Sequence, residues 1–422
     1  MFSILNNAWK IEDLRRKMLY VLLILGIYRI GANIPLPGID IEIWQILVLE
    51  APVTQNLFFM ITGGGMGTIF AMGIGPYITA SIIMQLLSVA IPKLEQLKKE
   101  GEEGKKKINQ YTRVLAIIMA LLQGTGNIFM LAQNQGLFIY DNMLTYAMAL
   151  VSMVTGTIFV MWLGEMLTEK GVGNGISFMI FANILASLPM GLEYLYNTAM
   201  FGDTWAAISV VLLAVLFVGL IGFAIMIQGG ERRIPVQNSK KMVGSTGKSS
   251  GGQNSYIPLK VNIAGVMSII FSLSLLGFPG MIAMVFPTDF MVTLSEHLAI
   301  TAPVGAVLYM ILIVVFTFFY TSFAINPTEM AENMKKNGGF IPGIRPGKPT
   351  SEYITRTVHR LSWIGACFYV TLAMIPVVFE WIFDIRVGFG GTTLLIVTGV
   401  ALELVKQLQS QMLMRHYKGF LG

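Results

Sequence analysis

The sequence predicts an all-α polytopic membrane protein, with ten transmembrane helices in two inverted five-helix halves around a central pore. Three observations lead there. The first is composition: of 422 residues, 55% are hydrophobic and 12% charged, against about 25% charged in soluble domains. The second is a series of ten apolar runs of a length suited to crossing a bilayer. The third is the stretch 58–87, FFMITGGGMGTIFAMGIGPYITASIIMQLL, which is apolar but broken by Gly63, Gly64, Gly65, Gly67, Gly73, Gly75 and Pro76. Broken backbone at membrane depth is tolerated only where protein buries it or where it lines a water-filled cavity. This stretch therefore predicts a cavity.

The chain opens with MFSILNNAWKIEDLRRKM, mildly amphipathic, with Glu12 and Asp13 and without the short apolar core and small-residue cleavage site of a signal peptide. It reads as a retained interfacial helix. Spans follow near 18–34, 73–91, 112–132, 143–164, 174–190, 206–227, 263–286, 303–325, 361–381 and 391–411. Segment 56–72 precedes the second span as a half-length insertion. With the N-terminus in the cytoplasm and the spans alternating, every one of the 29 basic residues except Arg29 and Arg386 falls in or beside a cytoplasmic segment, as the positive-inside rule requires. Loops 133–142, 191–205 and 287–302 hold no Lys or Arg. Both termini are then cytoplasmic. Ten spans divide into residues 1–200 and 201–422, five spans each. Because five is odd, the second half enters the membrane from the opposite side, an arrangement that places a pathway between the halves. The cytoplasmic loops 228–261 and 326–360 are basic, Gly/Pro-rich and long for a compact bundle. Loops of that length are functional or disordered; here they suit either anchoring at anionic lipid or docking of a soluble partner.

Catalytic constellations are sparse. Cys367 is the one cysteine, and His297, His359 and His416 lie far apart, so neither a disulfide framework nor a His/Cys metal site is expected. GSTGKSS at 244–250 has the wrong glycine spacing for a phosphate-binding loop. GVGNG at 171–175 reads as a turn that opens the fifth span. Intramembrane acids or histidines, the mark of a proton or ion pathway, are missing from the span midpoints. Arg29 lies toward the outer end of its span; Glu165, Glu329 and Glu403 lie near cytoplasmic ends. Gln85, Gln123, Ser268 and Ser272 are polar residues within spans, of the kind that hydrogen-bond between helices. Ile74 and Ile78 share a helix face, as do Ile176 and Ile180. Spacing alone makes them ordinary core or lipid-facing residues, although a ring of branched aliphatics can also gate a pore by dewetting.

A set of motifs resembles the SecY family of protein-conducting channels. They are IPLPG at 34–38, GIGPYITASIIMQLL at 73–87, KKEGEEGKKKINQYTR at 98–113, WLGEMLTEKGVGNGIS at 162–177, ERRIPVQ at 231–237, PLKVNIAGV at 258–266, FTFFYTSFAINPTEMAENMKKNGGFIPGIRPG at 316–347 and GGTTLLIV at 390–397. The resemblance covers nearly the whole chain in order. It implies a pore ring at Ile74, Ile78, Ile176, Ile180, Ile270 and Ile396. It implies a plug over 58–72, with Thr62, Gly63, Gly64, Gly65, Met66, Gly67 and Thr68 at its centre. It also implies a lateral gate where the second and third helices meet the seventh and eighth, which is where Gln85, Gln123, Ser268 and Ser272 belong. Cytoplasmic docking falls to Arg232, Arg233, Lys240, Lys241, Arg345 and Lys348. Implied partners are the SecE and SecG membrane subunits, the SecA motor or a ribosome, preproteins with their signal sequences, and membrane lipid. No cofactor and no direct DNA binding are implied, and the location is the bacterial plasma membrane.

The chain departs from the family in three places. Asn238, Ser239, Lys240 and Lys241 follow the IPVQ motif where a tyrosine and arginines are usual. Ser268 stands where proline is frequent, and GGGMG is an unusually glycine-rich plug. The function expected is a passive channel, not an enzyme, that passes unfolded polypeptides and releases apolar segments sideways into lipid. The alternative from composition and topology is an ion-coupled secondary transporter.

Overall fold

The computed structural model describes residues 2–43, 67–132, 137–238, 255–285, 288–383 and 391–418. Thr62, Gly63, Gly64, Gly65, Met66, Lys240 and Lys241 lie outside the described residues. A short helix α1 (Phe2–Lys10) precedes α2 (Glu12–Gly31). Then come α3 (Gly75–Ala90), α4 (Pro92–Lys99), α5 (Glu102–Ala132), α6 (Met143–Lys170), α7 (Gly175–Phe201) and α8 (Thr204–Gly229). Strands β1 (Glu231–Asn238) and β2 (Ser255–Lys260) lead to α9 (Met267–Val285), α10 (Asp289–His297), α11 (Pro303–Ala324) and α12 (Pro327–Lys336). The chain ends with β3 (Gly339–Phe340), α13 (Lys348–Phe383) and α14 (Gly391–Lys418). Each of the ten expected spans coincides with a helix: α2, α3, α5, α6, α7, α8, α9, α11, α13 and α14.

Length and apolarity alone qualify six of these as membrane-crossing, and a seventh if the bent pair α3–α4 counts as one span. The others fall short for visible reasons. The first turns of α2 carry Arg15, Arg16 and Lys17; the apolar part of α9 is only Met267–Gly280, too short for a span; and α14 carries Glu403 and Lys406. Helices α3, α9 and α14 line the central cavity described below. A helix shielded from lipid by its neighbours has no need of uniform apolarity.

The α3–α4 pair bends by 105°. Pro92 opens α4, and Ile91 before it is extended (φ −107°, ψ 113°). A proline bars the α conformation to its predecessor and fits the first helical position, so α3 must stop and α4 must restart. At the next turn of this kind, GVGNG, Asn174 caps α7 by accepting from the Ile176 and Ser177 amides at 3.0 and 3.5 Å. Gly173 adopts φ +89°, and any Cβ there would collide with the Gln407 amide of α14.

The helical fold carries one small addition. The two long basic loops form a small antiparallel sheet of order β2-β1-β3, with Ile234 opposite Ile257 and Gln237 opposite Phe340. Ile234 and Val236 of β1 are buried, whereas Arg233, Pro235 and Gln237 are exposed, the two-residue alternation of a half-buried strand. Ile234, Leu259 and Ile341 pack on Ile354, Val358 and Leu361 of α13. That helix starts at Lys348, so much of the expected loop 326–360 is helix extending beyond the span.

Two main cores result. The first joins Tyr28, Phe70, Ile74, Leu163 and Ile180 with Ile396 and Val400 of α14. The second joins Ile269, Tyr309, Ile313, Tyr369 and Leu372 of α9, α11 and α13. The last helix thus packs into the first core across the halfway point of the chain.

Arg113 of α5 and Glu165 of α6 form a bidentate ion pair, Nε and Nη2 each 2.8 Å from a carboxylate oxygen. We expect Arg113→Gln and Glu165→Gln each to lower thermal stability in detergent, with a coupling of about 1 kcal/mol in the double-mutant cycle. Strictly additive effects would show that the pair contributes nothing.

Candidate functional site: a central cavity closed by isoleucines

A cavity of about 760 Å³ lies between α3, α7, α9 and α14. Ile78, Ile176, Ile180, Ile270 and Ile396 line it, five of the six residues expected to form a ring. The sixth, Ile74, is buried and stands behind them, in one cluster with Ile180 and Ile396, against which Ile78 and Ile176 also pack. Four helices separated by hundreds of residues therefore bring six branched side chains together. Each is stiff about χ1 and has no hydrogen-bonding group. The rest of the wall is mixed: Val266, Met267, Phe271, Tyr320 and Val400 stand beside the polar Ser81, Gln85, Asn174, Ser177, Gln228, Asn262 and Gln407, with Lys260, Glu403 and Lys406. Among the described residues no cluster of His, Cys, Asp or Glu could hold a metal ion.

Beside the cavity runs a seam between α3 and the pair α9–α11. Of the four polar residues expected there, Gln85 and Ser272 hydrogen-bond within their own helices. Gln85 lines the cavity and donates to Ser81 of its own helix at 3.3 Å. Ser272 donates to the Ser268 carbonyl one turn back at 2.7 Å, and both serines are fully buried in α9. Gln123 is half-buried on α5. The seam is closed by apolar and aromatic packing instead. Ile82 of α3 packs with Phe271 of α9 and Phe316 of α11, flanked by Ile78, Leu86, Phe319 and Tyr320. The Phe271 and Phe316 rings meet edge to face at 5.7 Å, a favoured arrangement. The aromatic run FTFFYTSF at 316–323 is the sequence signal for this, legible as a motif but silent about which helix it would face.

Of the segment 58–72 expected as a plug, residues 67–72 are described. The Leu36 amide donates to the Gly67 carbonyl at 2.8 Å and the Ile69 amide to the Ile34 carbonyl at 3.0 Å, so this part pairs with the IPLPG segment. Phe70 stacks on Tyr28 at 5.8 Å and on Phe159 at 6.0 Å. It occupies the space where a Cβ on Gly31 would lie.

The expected docking residues differ in availability. Arg232, Arg345 and Lys348 are exposed. Arg233 is committed within the sheet: its guanidinium pairs with Glu231 at 2.7 Å and lies over the Tyr256 ring at 4.8 Å. The Glu231 hydrogen bond holds its pKa above the ordinary arginine value.

The SecY family profile matches residues 68–405. The chain belongs to the SecY family. Relatives named protein translocase subunit SecY come from Streptomyces coelicolor, 42% identical with all of both chains covered, and from Bacillus subtilis, 40% identical with the same coverage. The Escherichia coli relative is 40% identical, covering 97% of this chain and 94% of its own length. Among solved structures, a protein-conducting channel is similar at TM-score 0.66, with 20% identity, 93% of this chain and 91% of the other covered. Sec61 in the canine ribosome–channel complex is similar at TM-score 0.64, with 19% identity and the same coverages. These likenesses establish a SecY-type fold, and the chain is a multi-pass membrane protein.

Phe70→Ala should cost about 3–5 kcal/mol of stability. Gly31→Val should be destabilising in the native background and much less so beside Phe70→Ala, where the ring has gone. Chemical denaturation in detergent measures both. Equal Gly31→Val effects in the two backgrounds would remove Phe70 as the occupant of that site.

Proposed function

We propose that this chain is the channel subunit of a bacterial protein translocase, carrying unfolded polypeptides across the plasma membrane and releasing apolar helices sideways into lipid. The observation that carries the reading is the convergence of five expected isoleucines, from four helices, on one cavity whose remaining wall mixes apolar and polar side chains. A channel for chains of any sequence must close around them without binding them. Isoleucine offers no hydrogen bond to a passing main chain, and a close-packed apolar constriction excludes hydrated ions by dewetting. The seam beside the cavity supplies the lateral exit. An apolar segment there exchanges polar surroundings for lipid by the hydrophobic effect.

The root at Gly67–Phe70 supports a plug over 58–72, tethered at its C-terminal end. The sorting of basic residues supports cytoplasmic termini, which puts the sheet, α12 and the exposed Arg232, Arg345 and Lys348 on the cytoplasmic face. Guanidinium groups suit docking because they make bidentate contacts with carboxylate or phosphate. The partners expected there are a SecA-type motor or a ribosome, with SecE and SecG in the membrane; solved relatives include ribosome-bound channels. The ion-coupled transporter is not favoured. Its coupling groups should stand at mid-membrane, whereas the charged lining residues Lys260, Glu403 and Lys406 belong to the basic end of the molecule.

Replacing Ile180 or Ile78 by Asn places an amide in the constriction. We expect several-fold more export of a substrate with a defective signal sequence and a raised conductance of the idle channel; unchanged values of both would remove the ring. Arg345→Glu should lower SecA-driven export several-fold while leaving the amount and thermal stability of the protein unchanged. A defect that tracks stability alone would remove the docking role.

A further inference from the structure

The bend at Ile91–Pro92 carries α4 away from the axis of α3 and toward the end of α11. There the Lys98 ammonium lies over the face of the Phe323 ring, 3.0 Å from its centroid. Phe323 sits in the last turn of α11, half-buried, with the Tyr320 ring 6.4 Å away. Tyr320 in turn meets Phe271 edge to face at 6.1 Å. A row of aromatic rings thus runs from the middle of the seam to its basic end, and a lysine from the opposite side caps the row. Lys98 belongs to the α3–α4–α5 side; Phe323 belongs to the α9–α11 side. The seam cannot part at this end without separating them. A cation over a ring face is held by the ring quadrupole, most strongly where water is excluded. Partial burial pushes the Lys98 pKa below the ordinary lysine value, with Glu95 opposing.

We infer that Lys98 and Phe323 form a cation–π latch across the seam that sets how apolar a segment must be to leave the channel for lipid. The inference rests on the channel reading above. A segment exits when its gain on entering lipid exceeds the cost of parting the seam. Each additional contact broken on parting raises the required apolarity. Removing one cation–π contact at an exposed lysine should shift the closed-to-open ratio by about two- to fivefold. That shift should appear as a changed insertion threshold and not as a change in the transport of chains that never enter lipid.

The test uses the complete translocase in inverted membrane vesicles and a series of model segments graded in leucine content. The readout is the leucine number at which half the segments insert. Lys98→Met keeps the aliphatic stem and removes the charge; Phe323→Leu keeps apolar bulk and removes the ring. Each should lower the threshold, and the double variant should lower it no further than either alone. Lys98→Arg should hold it near the native value, since a guanidinium also stacks on rings. An unchanged threshold in both single variants, or fully additive shifts in the double, would overturn the latch. Secretion of a strongly signalled, non-inserting substrate by the native chain runs in parallel. Its failure would count against the channel reading itself; normal secretion with an unmoved threshold would count against the latch alone. Lys98 is exposed, so Lys98→Met leaves the test open even if Phe323→Leu impairs folding.

Discussion

The structure depends on one packing constraint: α3, α7, α9 and α14 must bring stiff, branched, apolar side chains together while leaving a cavity beside them. Ile74, Ile180 and Ile396 meet that demand as buried members of the first core. Because they belong to a core, their positions are set by close packing against Leu163, Phe178 and Met179 and not by loops. The same demand explains why three of the wall-forming helices are short or polar for membrane spans. Their lipid exposure is taken over by outer helices such as α8, which is almost wholly apolar.

The ten spans and the basic face were legible because they are properties of composition over windows of about 20 residues. The isoleucines were legible only through the resemblance: by spacing, Ile74 and Ile78 look like any helix face, and nothing local says that four distant helices converge. The small sheet is not legible because its two longer strands contain Pro235 and Pro258 and sit in Gly/Pro-rich sequence that favours a loop. The aromatic packing of the seam is not legible in the sequence for a different reason. Gln85, Ser268 and Ser272 stand out in an apolar span, but each has a partner, a wall or a buried site within its own helix or the cavity. The phenylalanines that close the seam do not stand out against an apolar background. Rarity in sequence located polar groups; area buried between helices decided what holds them together.

The two joints between the first five spans and the rest are built differently, and that difference bears on how such a channel can open. On one side α14 is packed into the first core through Ile396 and Val400, and its end is sealed by Leu408 with Ala8, Leu14 and Val172. There Gly173 seats directly on Gln407, with no room for even a methyl group. A joint so closely fitted loses dispersion contacts over its whole length with any separation. On the other side α5 packs on α9, and Ile82 of α3 and its neighbours meet a few aromatic rings, with one cation at the end. Rings can slide and re-stack with modest loss, and a lysine can retract into water. The two joints therefore differ in kind: close aliphatic fit at α14, ring packing at the seam.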